Sequence, residues 1–211
     1  MAFQSVWFET RLSEDILQAL NADIAKGVEG KALAEAVIAT GKPGETAISK
    51  EIRDAEIAWL PSAHWIAPFL MYYVDRANRE NYRFDLLGID AESLQYTVYG
   101  PGKFYGWHRD DSLQWKQMHP PSTYSEVRPD LLSNSTGEVC RKLSFSLQLS
   151  EPEEYEGGQF QLMGYDHKMY EAPRKKGTLI IFESTALHRV RPIKKGTRRS
   201  LVGWVIGPRW R

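Results

Sequence analysis

The sequence predicts an α+β domain that is mainly β, with strands from about Phe84 onward and helices bracing them from the N-terminal side. Two patterns carry that expectation. Apolar residues recur at helical spacing through the first third of the chain, and after Phe84 the period shifts towards two. The shift is clearest over 141–150, where Leu143, Phe145, Leu147 and Leu149 alternate with Ser144, Ser146, Gln148 and Ser150. At 211 residues the chain is long enough for one domain with a full core, taken here as 1–211.

Residues 12–27 read as a helix. Ser13 can cap it, Glu14 and Asp15 suit its positive end, and Ile16, Leu17, Leu20 and Ile24 recur on one face. Gly27 and Gly30 break the pattern. A second helix is expected over 31–40, with Leu33, Val37 and Ile38 on one side, stopped by a Gly/Pro turn at 41–44. Residues 51–60 stay open between states, although Ile52, Ile57, Trp59 and Leu60 suit a short strand. Residues 62–79 read as a long helix burying Trp65, Ile66, Phe69, Leu70, Tyr73 and Val74. The segment 1–83 is therefore expected to be a mainly helical scaffold that covers one side of a sheet.

The β core is expected over 84–207. Strand candidates at 84–86 and 94–99 flank Gly88. Gly100, Pro101 and Gly102 make a tight turn into an aromatic-rich extended run through Tyr105 and Trp107. The stretch 112–139 has no sustained period and contains Pro120, Pro121 and Pro129. A connection of that length in a compact domain is usually a functional lid or a disordered segment, and its position directly after His108 and Asp110 makes an active-site lid the expectation. A glycine turn at 156–159 leads to a strand through Phe160, and 178–182 is a β-branched buried strand. In the last strand Arg198, Ser200, Val202 and Trp204 share one face, while Leu201 and Val205 share the other.

The chemistry-bearing residues fall on these extended runs. Residues two apart on a strand project together, so His108 and Asp110 form two-thirds of a facial metal site, and His188 is the candidate for the third ligand. His119, in the 112–139 stretch, is the rival imidazole. His64 has no carboxylate or second histidine at metal spacing and reads as a capping or surface residue; His167 reads as an exposed turn residue. Two neutral imidazoles and one carboxylate occupy one face of an octahedral Fe(II) and leave the opposite positions open. Zinc favours four closed ligands, and there is no cysteine cluster to supply them. Arg198, directed inward from a core-facing strand, needs an anion. Together these residues suggest a non-haem iron oxygenase.

The order His-x-Asp, a distant His, then Gly196, Arg198, Ser200 and Leu201 resembles iron(II)/2-oxoglutarate-dependent dioxygenases of the prolyl-4-hydroxylase-like (PKHD-type) branch. Tyr99, Gly102, Tyr105, Gly106, His108 and Asp110 match that branch in spacing. So do the alternating strand 143–149 and the motif of Tyr155, Glu156, Gly157 and Gly158. The similarity runs from about Phe84 to Trp204 apart from one insertion. It implies a double-stranded β-helix, a jelly-roll-like core, with the apolar face of 143–149 against the helices. It implies Fe(II) held by His108, Asp110 and His188, with 2-oxoglutarate and O2 as cosubstrates and L-ascorbate as an auxiliary. Arg198 would clamp the far carboxylate of 2-oxoglutarate with a two-pronged guanidinium, assisted by Tyr99, Ser200, Gln148 and Phe160. Trp204, Ser144 and Tyr105 would line the pocket, and Trp115 and Tyr124 would either touch substrate or anchor the lid. The implied reaction hydroxylates an unactivated C–H bond with release of succinate and CO2. The expected substrate is a prolyl or other amino-acid side chain in a protein or peptide; the alternatives are a free amino acid or other small molecule, or a non-catalytic metal-binding sensor.

Composition bounds the rest. Lys and Arg total 27 against 27 for Asp and Glu, so the whole chain lacks the positive field of a strong nucleic-acid binder. From Arg174 onward basic residues dominate, which reads first as a solvated face. The single Cys140 offers no internal disulfide and fits a reducing cytoplasm. No apolar run is long enough to span a bilayer, so a cytoplasmic location without a membrane partner is expected. Oligomeric state is not legible.

Overall fold

The computed structural model describes residues 6–28, 33–39, 46–60, 63–90, 94–110 and 139–208. The chain opens with β1 (Phe8–Arg11) and α1 (Glu14–Val28), followed by β2 (Ala34–Glu35), β3 (Ile38–Ala39), β4 (Thr46–Ala47), β5 (Arg53–Asp54) and β6 (Glu56–Leu60). Next comes α2 (Ile66–Ala77), which ends in a π turn through Tyr82. The strands β7 (Gly88–Ile89), β8 (Leu94–Tyr99), β9 (Phe104–His108), β10 (Val139–Gln148), β11 (Tyr155–Gly157) and β12 (Phe160–Met163) come after it. β13 (Met169–Glu171), β14 (Thr178–Glu183), β15 (His188–Val190), β16 (Ile193–Gly196) and β17 (Arg198–Pro208) complete the chain.

The strands form two principal antiparallel sheets. The larger runs β1-β14-β10-β17-β8-β6-β2, with β7 joined to the far end of β17; the smaller runs β13-β12-β15-β9-β5. This is the mainly β, jelly-roll architecture expected from the sequence, with α1 and α2 packed on the outer face of the larger sheet.

Alternation explains why the larger sheet has two working faces. On the helix side Leu143, Phe145, Leu147, Leu179, Ile181, Leu201 and Val205 meet Leu17, Leu20 and Ile24 of α1 and Ile66, Leu70 and Val74 of α2. The intervening residues Ile180 and Phe182 turn the other way and pack with Phe160, Leu162 and Val190 of the smaller sheet. Ser144, Ser146 and Gln148 share that inner side and are buried. The polar face of 143–149 therefore lines an interior and does not meet water. Gly203 sits opposite Phe145 in the ladder, and a methyl group there would stand 2.3 Å from the Phe145 ring.

Several expectations are corrected. Within 31–40 the described residues are extended, not helical: Ala34 pairs with Ile57, and the Ala36 N–H donates to the Ala55 carbonyl. A ladder to β6 outweighs weak helical spacing in a short, glycine-bounded stretch. The open segment 51–60 resolves into β5 and β6, so 1–83 is not only a helical scaffold; it supplies strands to both sheets. Residues 84–86 form no strand, because the Asn78 side chain at the end of α2 binds both the N–H and the carbonyl of Phe84. Trp65 is 38% exposed, with its indole N–H donating to Asp23 on α1; Phe69 and Tyr73 are only half-buried. The 12–27 helix is present with its acidic first turn. The expected lid at 112–139, with Trp115, His119 and Tyr124, lies outside the described residues except for Val139, which already begins β10. The 41–44 turn also lies outside them.

Candidate metal centre

The site begins with a turn. Gly100, Pro101 and Gly102 reverse the chain, with Gly102 at φ 83°, and deliver β9 into the smaller sheet. There His108 is the register partner of His188 on β15, so the ladder itself brings two imidazoles from distant sequence positions together. Their ring centroids are 4.0 Å apart. Asp110 lies just beyond the end of β9, where its N–H donates to the Ser184 carbonyl at the end of β14. The side chains converge: Asp110 Oδ1 is 3.7 Å from His108 Nε2, and Oδ2 is 3.4 Å from His188 Nε2. One ligand atom from each of the three lies within 4.8 Å of the others, and among the described residues this is the one such group.

Each imidazole is oriented in the same way. His108 Nδ1 is 2.8 Å from the Gly106 carbonyl, and His188 Nδ1 is 2.8 Å from the Ala186 carbonyl, both two residues back along the chain. A carbonyl can only accept, so both Nδ1 atoms carry a proton and both Nε2 atoms face Asp110. Burial, followed by the neighbouring His188, pushes the His108 imidazole down to about 3, so it is neutral at physiological pH. For Asp110, burial pushes the carboxyl up, but His188, His108, Arg141 and the Ser144 hydrogen bond together hold it below its ordinary value. His108 and Asp110 are thus deprotonated in advance. Ser144 Oγ donates to Asp110 Oδ2 at 2.7 Å and lies 2.9 Å from Ser184 Oγ, which fixes the carboxylate from behind.

The cavity around the triad is lined by Tyr99, Tyr105, Phe160, Arg198, Ser200 and Trp204 among others. Nine of the residues singled out from the sequence therefore meet in one place. Arg198 is 4% exposed, its Nη1 donates to Ser200 Oγ at 3.3 Å, and no carboxylate pairs with it among the described residues. Cross-strand register explains this grouping: Arg198 faces Tyr99, Ser200 faces Gln148, and Trp204 faces Ser144. Gln148 stands apart in a smaller neighbouring cavity that shares Arg198 and Phe160, and its amide donates to Tyr155 Oη and the Ser150 carbonyl. Tyr105 stacks on the His108 ring, and burial pushes its phenol up to about 12, so it remains a neutral hydroxyl.

Some participants were not singled out from the sequence. Arg141 is buried against Asp90 at 2.8 Å and lies 4.0 Å over the Trp204 ring, pinning that indole. Ser184, Gln95, Thr97 and Arg53 also line or support the cavity. A lone Ser, Thr, Gln or Arg carries no spacing signal, so only the fold could find them. His64 behaves as expected: its Nδ1 accepts from the Ile66 N–H at the start of α2. His167 is exposed in its turn.

Residues 94–206 match the family model of the 2OG-Fe(II) oxygenase superfamily. The chain belongs to that superfamily. Within it the chain is similar to PKHD-type hydroxylases. It is 38% identical to one from Picosynechococcus sp. over 116 residues, covering 54% of this chain and 42% of the relative. It is 33% identical to one from Synechococcus elongatus over 143 residues, covering 66% of this chain and 55% of the relative. The chain spans about half the length of the curated relatives it matches. Its fold is shared with a prolyl-4-hydroxylase from Pseudomonas putida, at a TM-score of 0.65 and 22% identity, covering 98% of this chain and 94% of that one. A prolyl hydroxylase from Trichoplax adhaerens, solved with a hypoxia inducible factor oxygen degradation domain peptide fragment, matches at a TM-score of 0.65 and 15% identity, covering 96% of this chain and 84% of that one. The oxygenase resemblance read from the sequence therefore holds.

The donors suit the Fe(II) of the superfamily's name. Two imidazole nitrogens and one carboxylate converge from one side, and no fourth protein ligand closes the group among the described residues. The Asp110 oxygens stand 3.7 and 3.4 Å from the two Nε2 atoms, wider than the roughly 3.0 Å between adjacent octahedral donors each about 2.1 Å from a common ion.

Proposed function

We propose that this chain is an Fe(II)- and 2-oxoglutarate-dependent hydroxylase in which His108, Asp110 and His188 hold the iron and Arg198 holds 2-oxoglutarate. One observation carries the reading: a pre-oriented His/Asp/His triad shares its cavity with a buried arginine that has no carboxylate partner among the described residues. O2 would be the oxidant and bound Fe(II) would let it react, so that one oxygen atom enters the succinate formed with CO2 from 2-oxoglutarate and the other becomes the hydroxyl group on an unactivated C–H carbon. The chain's own part is placement. Ser144 and Ser184 hold the carboxylate ligand, and the Gly106 and Ala186 carbonyls set both imidazole tautomers. Arg198, with Ser200 beside it, offers a fork suited to a carboxylate, and Tyr99 stands across the ladder. Phe160, Phe182 and Trp204 keep the cavity apolar and limit the entry of water.

For the substrate, a prolyl or other amino-acid side chain in a peptide is favoured by the prolyl hydroxylases that share the fold, one of them solved with a peptide. The test is succinate release from 2-oxoglutarate by protein reconstituted with Fe(II), with and without candidate peptides and with ascorbate present. Iron-dependent succinate release that is abolished in Asp110→Ala is the expected result. Release that persists without all three ligands would end the proposal.

A further inference from the structure

The cavity holds a second buried cation that the reading above leaves without a task. Arg53, on the edge strand β5, is 7% exposed and lines the same cavity as the triad. Its Nη1 donates to the Val37 carbonyl at 3.1 Å and its Nη2 to Gln95 Oε1, which also accepts from Thr97. Its Nε is buried and has no partner among the described residues. The guanidinium lies 4.6 Å over the Tyr105 ring, and Tyr105 in turn stacks on His108, so one aromatic ring separates Arg53 from the triad. Among the described residues the groups that touch it are neutral, and no ion pair reaches it.

A buried charge with only neutral neighbours is costly, and cavities that keep one are built for an opposite charge. Formal charges show which ligand that is. A divalent ion against Asp110 leaves one positive charge, and Arg198 and Arg53 add one each. Arg141 is already met by Asp90. The two carboxylates of 2-oxoglutarate cancel two of those three charges, and one remains, on the wall that Arg53 occupies. Arg53 sits on the smaller sheet, whereas Arg198 and Ser200 sit on the larger one, so the two arginines approach the cavity from opposite walls.

We propose that Arg53 receives a carboxylate of the primary substrate, which is therefore an amino acid or peptide presenting a free carboxylate near the carbon to be oxidised. This inference rests on the hydroxylase reading of the same cavity. The carboxylate could belong to a free amino acid, to a peptide C-terminus or to an acidic side chain. All three offer the same two acceptor oxygens to the guanidinium fork.

The experiment uses the full chain loaded with Mn(II) and N-oxalylglycine, an inert stand-in for 2-oxoglutarate, titrated by calorimetry. The probes are the free L-amino acids beside their amides, short proline-containing peptides with a C-terminal carboxylate or amide, and the same peptides carrying Asp or Asn. Wild type should bind at least one carboxylate form about tenfold or more tighter than its amide, as expected for a charge-assisted contact. The probe series that shows the gap identifies the source of the carboxylate. Arg53→Gln should erase the gap while keeping N-oxalylglycine affinity within about threefold, and Arg53→Lys should restore part of it. Three results overturn the proposal: no carboxylate preference anywhere in wild type, a preference that survives in Arg53→Gln, or N-oxalylglycine binding lost in Arg53→Gln as fully as in Arg198→Met. Failure of wild type to take up Mn(II) and N-oxalylglycine defeats the hydroxylase reading itself, and this inference with it. Failure in the carboxylate-against-amide comparison alone defeats only the inference.

Discussion

Replacing Arg198 by Met should separate cosubstrate binding from metal binding, and it should do so with an unusual stability signature. Arg198 is 4% exposed and its hydrogen bond to Ser200 is to a neutral hydroxyl. A carboxylate received there would gain two charge-assisted bonds of about 1.5–3 kcal/mol each, less the cost of desolvation. A net loss of about 3–4 kcal/mol corresponds to 2-oxoglutarate binding roughly 100- to 1000-fold more weakly. Mn(II) affinity should change little, because the triad and its serine supports remain. Without 2-oxoglutarate, removing a buried cation that lacks a carboxylate partner relieves a desolvation cost, so the thermal midpoint should hold or rise. Calorimetric titration of Mn(II) and then 2-oxoglutarate, beside a thermal scan of the apo protein, reads all three quantities. A parallel loss of both ligands with a lowered midpoint would show that Arg198 holds the fold together. Unchanged 2-oxoglutarate affinity would remove it from the cosubstrate site.

Further outcomes follow from the same geometry. His188→Ala should reduce Mn(II) affinity by at least about tenfold, detectable by water-proton relaxation, since one of three ligands is lost. Ser144→Ala leaves all three ligands in place but frees the Asp110 carboxylate, so a loss of about 10- to 100-fold in metal affinity is expected, measured by competition with a chelator. Gly203→Ala should destabilise the apo protein by about 1–3 kcal/mol in urea unfolding, because a methyl group there would meet the Phe145 ring on the helix side of the sheet. Metal-free protein should lose stability as pH falls from about 6.5 towards 3. Folded His108 titrates near 3, so in that window the unfolded chain binds the extra proton, and the stability is fully present only above the ordinary histidine value. A urea midpoint that does not change across that window would refute the burial of a neutral His108.

The fold and the triad were legible in the sequence for different reasons. Alternation over 143–149 and 198–205 specifies which side chains share a face, and strand register converts that into a shared cavity. His108 and Asp110 were legible as a pair, even though Asp110 turned out to lie just past the strand, because the short reach beyond β9 still carries it inward. Arg53 was hidden because its strand has only two residues and takes its order from pairing with β9, far along the chain. The error over 31–40 has the same origin: local spacing cannot report a ladder to β6. At Phe84 a single side chain, Asn78, outweighed an apolar run that looked like a strand.

The pairing of His108 with His188 joins two segments 80 positions apart through a ladder only a few residues long. Contacts of such long sequence range close late in folding, after more local structure has formed. A divalent ion gripping both partners adds its binding free energy to that one closure. Saturating Mn(II) should therefore raise the resistance of β9 and β15 amides to hydrogen exchange far more than that of α1 or α2, and it should restore folding to variants weakened at this seam while doing less for variants weakened beneath the helices.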